Sequence, residues 1–325
     1  MLEMDDAPRR HVRGLGLRPD CVVTTGGWLE QVPLAATRLA DRTFGAVALL
    51  FAAPFRSGGR LFGGEATNVD PRDSYGYYHP WRWSSQAAHW ALMWRHYMLT
   101  YGAAEADLAH VAVTLRQHAS LTEDAIMRHP LSINDYLGSR YIVEPLHLFD
   151  LCLANDGAVC IIMQRAEGAA DRPHPPVLLS GWGYGEVLHS KLDVMIRDRL
   201  GTPLRTAAGQ ALSAAGLERP EIGHLMAYDA STIHLVAQLE GLGFAEAGDG
   251  LSLVKAGETS LTGALPTNTN GGMLSHSYMA GWNNLVEAVR QLRHEAGARQ
   301  VAGLHATMYA ATNTEGAITM VLSGG

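Results

Sequence analysis

The stretch that most constrains the fold is NTNGGMLSHSYMAGWNNLVEAVRQLRHEAGARQV, residues 268–301. A glycine-rich turn runs directly into a long helical period, placed by its spacing at about 281–296, and an apolar strand follows at 301–309. A similar order stands near the N-terminus. CVVTT at 21–25 reads as a short strand, and Gly26-Gly27 opens a helix over about 28–42 with Leu29, Val32, Ala36 and Leu39 at helical spacing. FGAVALLFA at 44–52 is then a continuous apolar run, as expected of a strand buried on both faces. Alternating strands and helices in two similar halves argue for an α/β protein with largely internal sheets.

Residues 53–150 break the alternation. RSGGRLFGGEATNVDPRDSYGYYHPWRW is rich in glycine, proline and aromatic residues, has no period, and reads as an excursion over a site. Helical patterns follow at 84–100 and 105–118, with a short helix in INDYLGS. Alternation resumes with a strand at 157–164, entered through the turn Asn155-Asp156-Gly157, and RAEGAADRPHPP is a linker. The second half reads as a strand in VLLSGWGYG, a helix at 203–216, a strand in HLMAYD and a helix in STIHLVAQLEGLGF stopped at Gly241–Gly243. Closing strands are expected at 301–309 and 316–322.

Composition removes several classes. With 325 residues, 47% of them apolar, the chain can bury a large core. It has no run of about 18 apolar residues, so no membrane insertion is expected. MLEMDDAPRRHVRG shows no apolar signal-peptide region. The net charge of −7 is dispersed, which argues against a nucleic-acid partner. Cys21, Cys152 and Cys160 stand far apart inside apolar runs, without CxxC or zinc spacing. They read as reduced thiols of a cytoplasmic protein, with Cys152 and Cys160 as small buried hydrophobes.

Several of these segments resemble the thiolase superfamily, in particular the branch of the sterol-carrier-protein-x thiolases. They are LCLANDGAVCIIM, AYDASTIHLVAQLEGLGF and LPTNTNGGMLSHSYMAGWNNLVEAVRQLRHEAGARQV. HYMLTYGAAEADLAHVAV and INDYLGSRYIVEPLHLFD are similar to the loop-domain segment of that branch. The resemblance implies two similar α/β halves stacked in five layers, αβαβα, with an inserted loop domain. In this numbering the N-terminal half spans 1–165, its loop domain about 53–150, and the C-terminal half 166–325. The chain would then open near the third element of a thiolase and lack the usual first strand–helix segment. The family's dimers, joined through the first half, imply a homodimer, with apolar AVALLFA exposed in a lone chain.

The departures from the family are chemical. Thiolases carry a nucleophilic cysteine at a helix start, where thiolate is favoured; the matching place is Thr25-Gly26-Gly27. Tyr278 stands where the activating histidine belongs, and the turn HATMYAATNTEG has no second cysteine. Glycine for cysteine and tyrosine for histidine resemble the thiolase-like aldolases of steroid side-chain degradation. That resemblance implies retro-aldol cleavage of a bulky β-hydroxyacyl-CoA, with coenzyme A entering only as part of the substrate. It also implies a small partner built from a zinc ribbon and an OB-fold. An acyltransferase using another nucleophile and a non-catalytic acyl-CoA- or lipid-binding subunit are the alternatives.

Retro-aldol chemistry needs a group to take the hydroxyl proton and donors to hold an enolate. Tyr278, Tyr228 and Asn268 are the candidate catalytic residues, and Gly26, Gly27, Gly271, Gly272 and His276 the candidate substrate- and CoA-binding ones. An ordinary tyrosine is about one-thousandth ionised at neutral pH, so the site must lower its pKa or use the phenol as a donor. A core tyrosine with a satisfied hydroxyl would look the same in sequence. Asp229 equally suits a cap on the helix beginning near Ser231, whereas Asp156 reads as a turn residue rather than a catalyst. His276 and His234 read as surface or core histidines rather than catalysts.

Overall fold

The computed structural model describes residues 30–42, 44–54, 56–57, 85–167, 173–186, 201–312 and 316–325. The strand expected at 21–25, Gly26, Gly27 and most of the glycine- and aromatic-rich excursion lie outside those residues. Helix α1, Gln31–Ala40, buries Val32, Ala35 and Leu39. It packs against a two-stranded antiparallel sheet of β1, Ala46–Pro54, and β4, Asp156–Gln164. The register sets Leu49 opposite Ile161 and Phe51 opposite Val159. These residues share the inward face, where the Phe51 ring stacks on Trp282 with centroids 5.7 Å apart. Ala48, Leu50, Cys160 and Ile162 alternate with them and face outward; Leu50 is 47% and Ile162 74% exposed. The expectation that FGAVALLFA is buried on both faces is therefore corrected for the single chain. A continuous apolar run does not show whether the second cover comes from the same chain.

Residues 85–150 are mostly helical. The Ser85 hydroxyl accepts from the Ala87 N–H at 3.2 Å and starts α2, Gln86–Tyr101. Helix α3, Asp107–Ser120, follows, and a capping box between Ser132 and Asp135 starts α4, Ile133–Leu137. A hairpin of β2, Tyr141–Val143, and β3, Leu146–His147, closes the segment.

The C-terminal half holds a four-stranded sheet in the order β5-β8-β7-β6, with β5 Val177–Glu186, β6 His224–Ala227, β7 Ala306–Thr312 and β8 Gly316–Gly324. Only the β6–β7 pair is parallel. The alternate glycines of GWGYG let α5, Gly201–Ala215, lie directly on β5; a Cβ on Gly183 would overlap the Ala207 carbonyl. Gly183 pairs with Thr319, and Thr319 with Ala310, so these mark the face under α5. Thr307 lies on the opposite face, bonded to His224, which is bonded to Thr269, which donates to Glu287 of α9, Trp282–Leu292. Helix α9 also packs on β4 and so forms the layer between the two sheets. The described residues fill four of the five expected layers, in the order β–α–β–α.

Three short or closely spaced elements complete the half: α6, Thr232–Gly241; α7, Gly250–Lys255; and α8, Gly272–Ser275. Helix α2 packs on α6, and α3 packs on α7 and α8, which sets residues 85–150 over the second half. Strand β7 starts at Ala306 rather than 301. The Gln291 side chain binds the Arg299 carbonyl and the Val301 N–H, at 2.8 and 2.9 Å, and holds Val301–His305 as a turn beneath α9. No helix among the described residues is long and apolar enough to cross a membrane.

Candidate active site

Strand β6 ends at Ala227, and Tyr228 and Asp229 follow it into the seam between the halves. Asp229 is fully buried, and its carboxylate accepts the N–H groups of Met273, at 2.8 and 2.9 Å, and Leu274, at 3.2 Å. The Asn284 amide donates to it at 3.1 Å and to the Ala227 carbonyl at 2.8 Å. Asp229 thus caps α8, while Ser231 caps α6 by accepting the His234 N–H. Burial pushes the Asp229 carboxyl up to about 7 against these hydrogen bonds. The glycine-rich turn is shaped to reach it. Gly271 and Gly272 have φ of 99° and 63°, and a Cβ on Gly272 would overlap the Asp229 carboxylate.

The turn carries Tyr278 to Tyr228. Asn155, just before β4, accepts the Tyr278 backbone N–H at 2.7 Å, and the two phenol oxygens are 3.3 Å apart. Both side chains are buried. Burial, then the Cys152 thiol, raises the Tyr278 pKa above that of an ordinary phenol. Burial and the neighbouring Tyr278 raise Tyr228 further. Of the two options open in the sequence, this geometry favours neutral phenols that donate and accept in turn. Cys152 also lies here, and its N–H donates to the Ala230 carbonyl at 3.1 Å. Burial, then the Asp229 carboxylate, holds the thiol protonated, the opposite of a nucleophilic cysteine.

The other expected residues sit differently. The Asn268 side-chain oxygen accepts the Ala227 N–H at 2.7 Å, and its amide donates to the Ala227 carbonyl at 2.9 Å. These two bonds lock it on both sides to the end of β6. The Gly271 and Gly272 N–H groups bind the Asn268 carbonyl and the Asn270 side chain, both at 2.8 Å, so they do not point to a ligand. The His276 ring lies between Asp124, at 3.2 Å, and the Ser277 hydroxyl, at 3.0 Å, with Arg290 on the far side of Asp124. Asp156 accepts the Arg56 and Ser57 N–H groups, a turn role. Gly26 and Gly27 lie outside the described residues. The contacts of Asn155, Asn284 and Cys152 could not be read in the sequence, because each is made more than 40 positions away. A pocket of about 380 Å³ opens near Gly241, lined by Arg205, Arg219 and Glu246. It sits at the opposite end of α6 from the phenols and holds none of these residues. No group of three metal-ligating side chains is found among the described residues.

Comparison with known proteins bears on the fold and the family. Residues 185–323 match the family described as thiolase C-terminal domain-like. A steroid side-chain-cleaving aldolase of Thermomonospora curvata is 38% identical over 211 residues, covering 63% of this chain and 54% of that protein. A 17-hydroxy-3-oxo-4-pregnene-20-carboxyl-CoA lyase of Mycobacterium tuberculosis is 34% identical over 233 residues, covering 70% of this chain and 59% of that protein. The chain therefore spans somewhat over half the length of these curated relatives. The solved structure of an Ltp2–ChsH2(DUF35) aldolase superposes with a TM-score of 0.82 at 29% identity, over 92% of this chain and 78% of that one. The fold and the matched C-terminal half together define a thiolase-like fold. More particularly, the chain is similar to the steroid side-chain-cleaving aldolases and, at 23% identity, to the sterol carrier protein 2 of Bos taurus.

Proposed function

We propose that the protein is a carbon–carbon lyase that cleaves a bulky β-hydroxyacyl-CoA by a retro-aldol reaction, without an acyl-enzyme. The observation that carries this reading is the buried Tyr228–Tyr278 pair, 3.3 Å between oxygens, at the place where the resemblance puts the thiolase histidine. The reaction breaks the bond between the α and β carbons, turns the β-hydroxyl into a ketone and leaves its electron pair on the thioester as an enolate. The hydroxyl proton has to leave and the α carbon has to gain one. Two neutral phenols in contact carry out both transfers. One accepts the hydroxyl proton as it passes its own to the other, which protonates the α carbon. No phenolate builds up, which suits a site that disfavours one.

In this reading Tyr228 and Tyr278 are catalytic, and Asn268, Gly271, Gly272, Asp229 and Asn284 position the turn that holds them. His276, at the rim with Asp124 and Arg290, faces the CoA portion. Gly26 and Gly27 are proposed as N–H donors to the enolate oxygen. The lyase relative's name supplies a substrate class, since a hydroxyl on carbon 17 is β to a carboxyl-CoA on carbon 20. The name of the superposed structure supports a DUF35 partner, and the open apolar face of β1 and β4 supports a homodimer. The test is product analysis with that β-hydroxy ester, with and without a DUF35 protein. Ketone and shortened acyl-CoA are expected in equal amounts without added coenzyme A. Release of free coenzyme A, or a requirement for it, would point instead to the acyltransferase.

A further inference from the structure

The proton path above has no use for His234. Its ring is 4% exposed, and among the described residues neither ring nitrogen has a hydrogen-bond partner. The imidazole lies between two aromatic rings. It stacks on Trp90 of α2, with centroids 6.3 Å apart, and stands edge-on to Tyr228, with centroids 5.7 Å apart at 67°. Gln238 is one turn further along α6, on the same face. Its amide donates to the backbone carbonyls of Tyr228 and His234, while its side-chain oxygen has no partner among the described residues. Trp94, one turn beyond Trp90 on the face of α2 toward the core, is fully buried, and its indole N–H has no partner among the described residues.

Buried polar atoms are nearly always paired, and a run of unpaired ones across one helix–helix contact calls for a specific reason. Phenylalanine would fill the same space at α6 without unmatched nitrogens. Burial holds the imidazole pKa down to about 4, so the ring is neutral and offers one N–H and one lone pair. Such a group matches a hydroxyl or a carbonyl, and is a poor partner for a carboxylate or an ammonium.

We propose that His234 is a specificity-determining residue that hydrogen-bonds the β-hydroxyl oxygen of the acyl group and holds it against Tyr228. The proposal rests on the retro-aldol reading for the identity of the substrate, but its test does not need turnover. The probes are the 17-hydroxy ester named for the lyase relative and the matched ester without that hydroxyl. A third ester, without the distal 3-oxo group, separates the two oxygen sources. Dissociation constants are read by rapid mixing before the first turnover.

The unaltered protein is expected to bind the hydroxylated ester about tenfold or more tightly than the one without the hydroxyl. His234→Phe is expected to abolish that preference by weakening the hydroxylated ester alone, with an equal or higher melting temperature. His234→Asn, which keeps a polar group, is expected to retain part of it. The proposal is overturned if the preference survives in His234→Phe, if it follows the 3-oxo group, or if all three esters weaken together as the protein melts lower. A protein that prefers the hydroxyl but cleaves nothing would refute the lyase reading and leave this assignment standing. One that cleaves normally with the preference unmoved by His234→Phe would do the reverse.

Discussion

Gly272→Ala tests the account of the glycine-rich turn at its tightest point. Gly272 has φ of 63°, and a Cβ there would overlap the Asp229 carboxylate. The left-handed backbone alone costs about 1–2 kcal/mol for a non-glycine residue. Moving Asp229 away weakens its bonds to Met273, Leu274 and Asn284, and a hydrogen bond to a charged group contributes about 1.5–3 kcal/mol. Losing one such bond gives a total of roughly 2.5–5 kcal/mol. For a chain of 325 residues the entropy of unfolding makes 1 kcal/mol worth roughly 1.5 °C, so the melting temperature should fall by about 4–8 °C. Differential scanning calorimetry reads this directly. Gly209→Ala serves as the control: it lies in the exposed interior of α5, with nothing within 4 Å of a new Cβ. It should raise stability by about 0.5–1 kcal/mol. If Gly272→Ala melted within a degree of the unaltered protein, the Asp229 cap would not be what demands glycine there.

Two further outcomes follow from the buried groups. Cys152→Ala should keep turnover within about fivefold, since a protonated thiol is no nucleophile, whereas loss of a true nucleophile typically costs about 10⁴–10⁶ in rate. Asp229 has its folded pKa raised to about 7, so its contribution to stability is present below the ordinary carboxyl value and is lost as pH rises toward 7. Chemical denaturation of the unaltered protein and Asp229→Asn across pH 4–8 should show the difference between them drifting against the unaltered protein. The slope should be up to about 1.4 kcal/mol per pH unit and should flatten above 7; a difference independent of pH would show that Asp229 stays ionised throughout.

Much of the fold was legible because the elements are long and periodic. The helix in STIHLVAQLEGLGF and that in WNNLVEAVRQL appear with ends shifted by a few residues, and GWGYG is a strand whose glycines admit a helix. What could not be read is set by long-range contacts. Val301 and Leu304 are apolar like a strand, yet the Gln291 side chain beneath α9 keeps them in a turn. The outward face of β1 is as apolar as its inward face, so no pattern in AVALLFA tells which is covered. In the site, the meeting of Tyr228 with Tyr278 follows from matching both segments to one family. The work of Asn268 does not, because both its bonds go to Ala227, 41 positions earlier. Nor does the lack of a partner for His234 among the described residues, since an unpaired imidazole and a satisfied one have the same letter.

The central claim is that two phenols act as one proton path, and a double-variant cycle tests it most directly. Single-turnover cleavage of the β-hydroxy ester would be timed for Tyr228→Phe, Tyr278→Phe and the double variant, each checked for an unchanged fold by its melting curve. Each phenylalanine keeps the ring and removes one hydroxyl, so stability should fall by no more than about 1 kcal/mol per site. Each single change should slow cleavage by about 10²–10⁴, and the double variant should be scarcely slower than either, because residues that act as a unit do not add. Multiplicative losses would mean that the two hydroxyls act independently, and normal cleavage by Tyr278→Phe would mean that the tyrosine in the thiolase histidine's place is only part of the core.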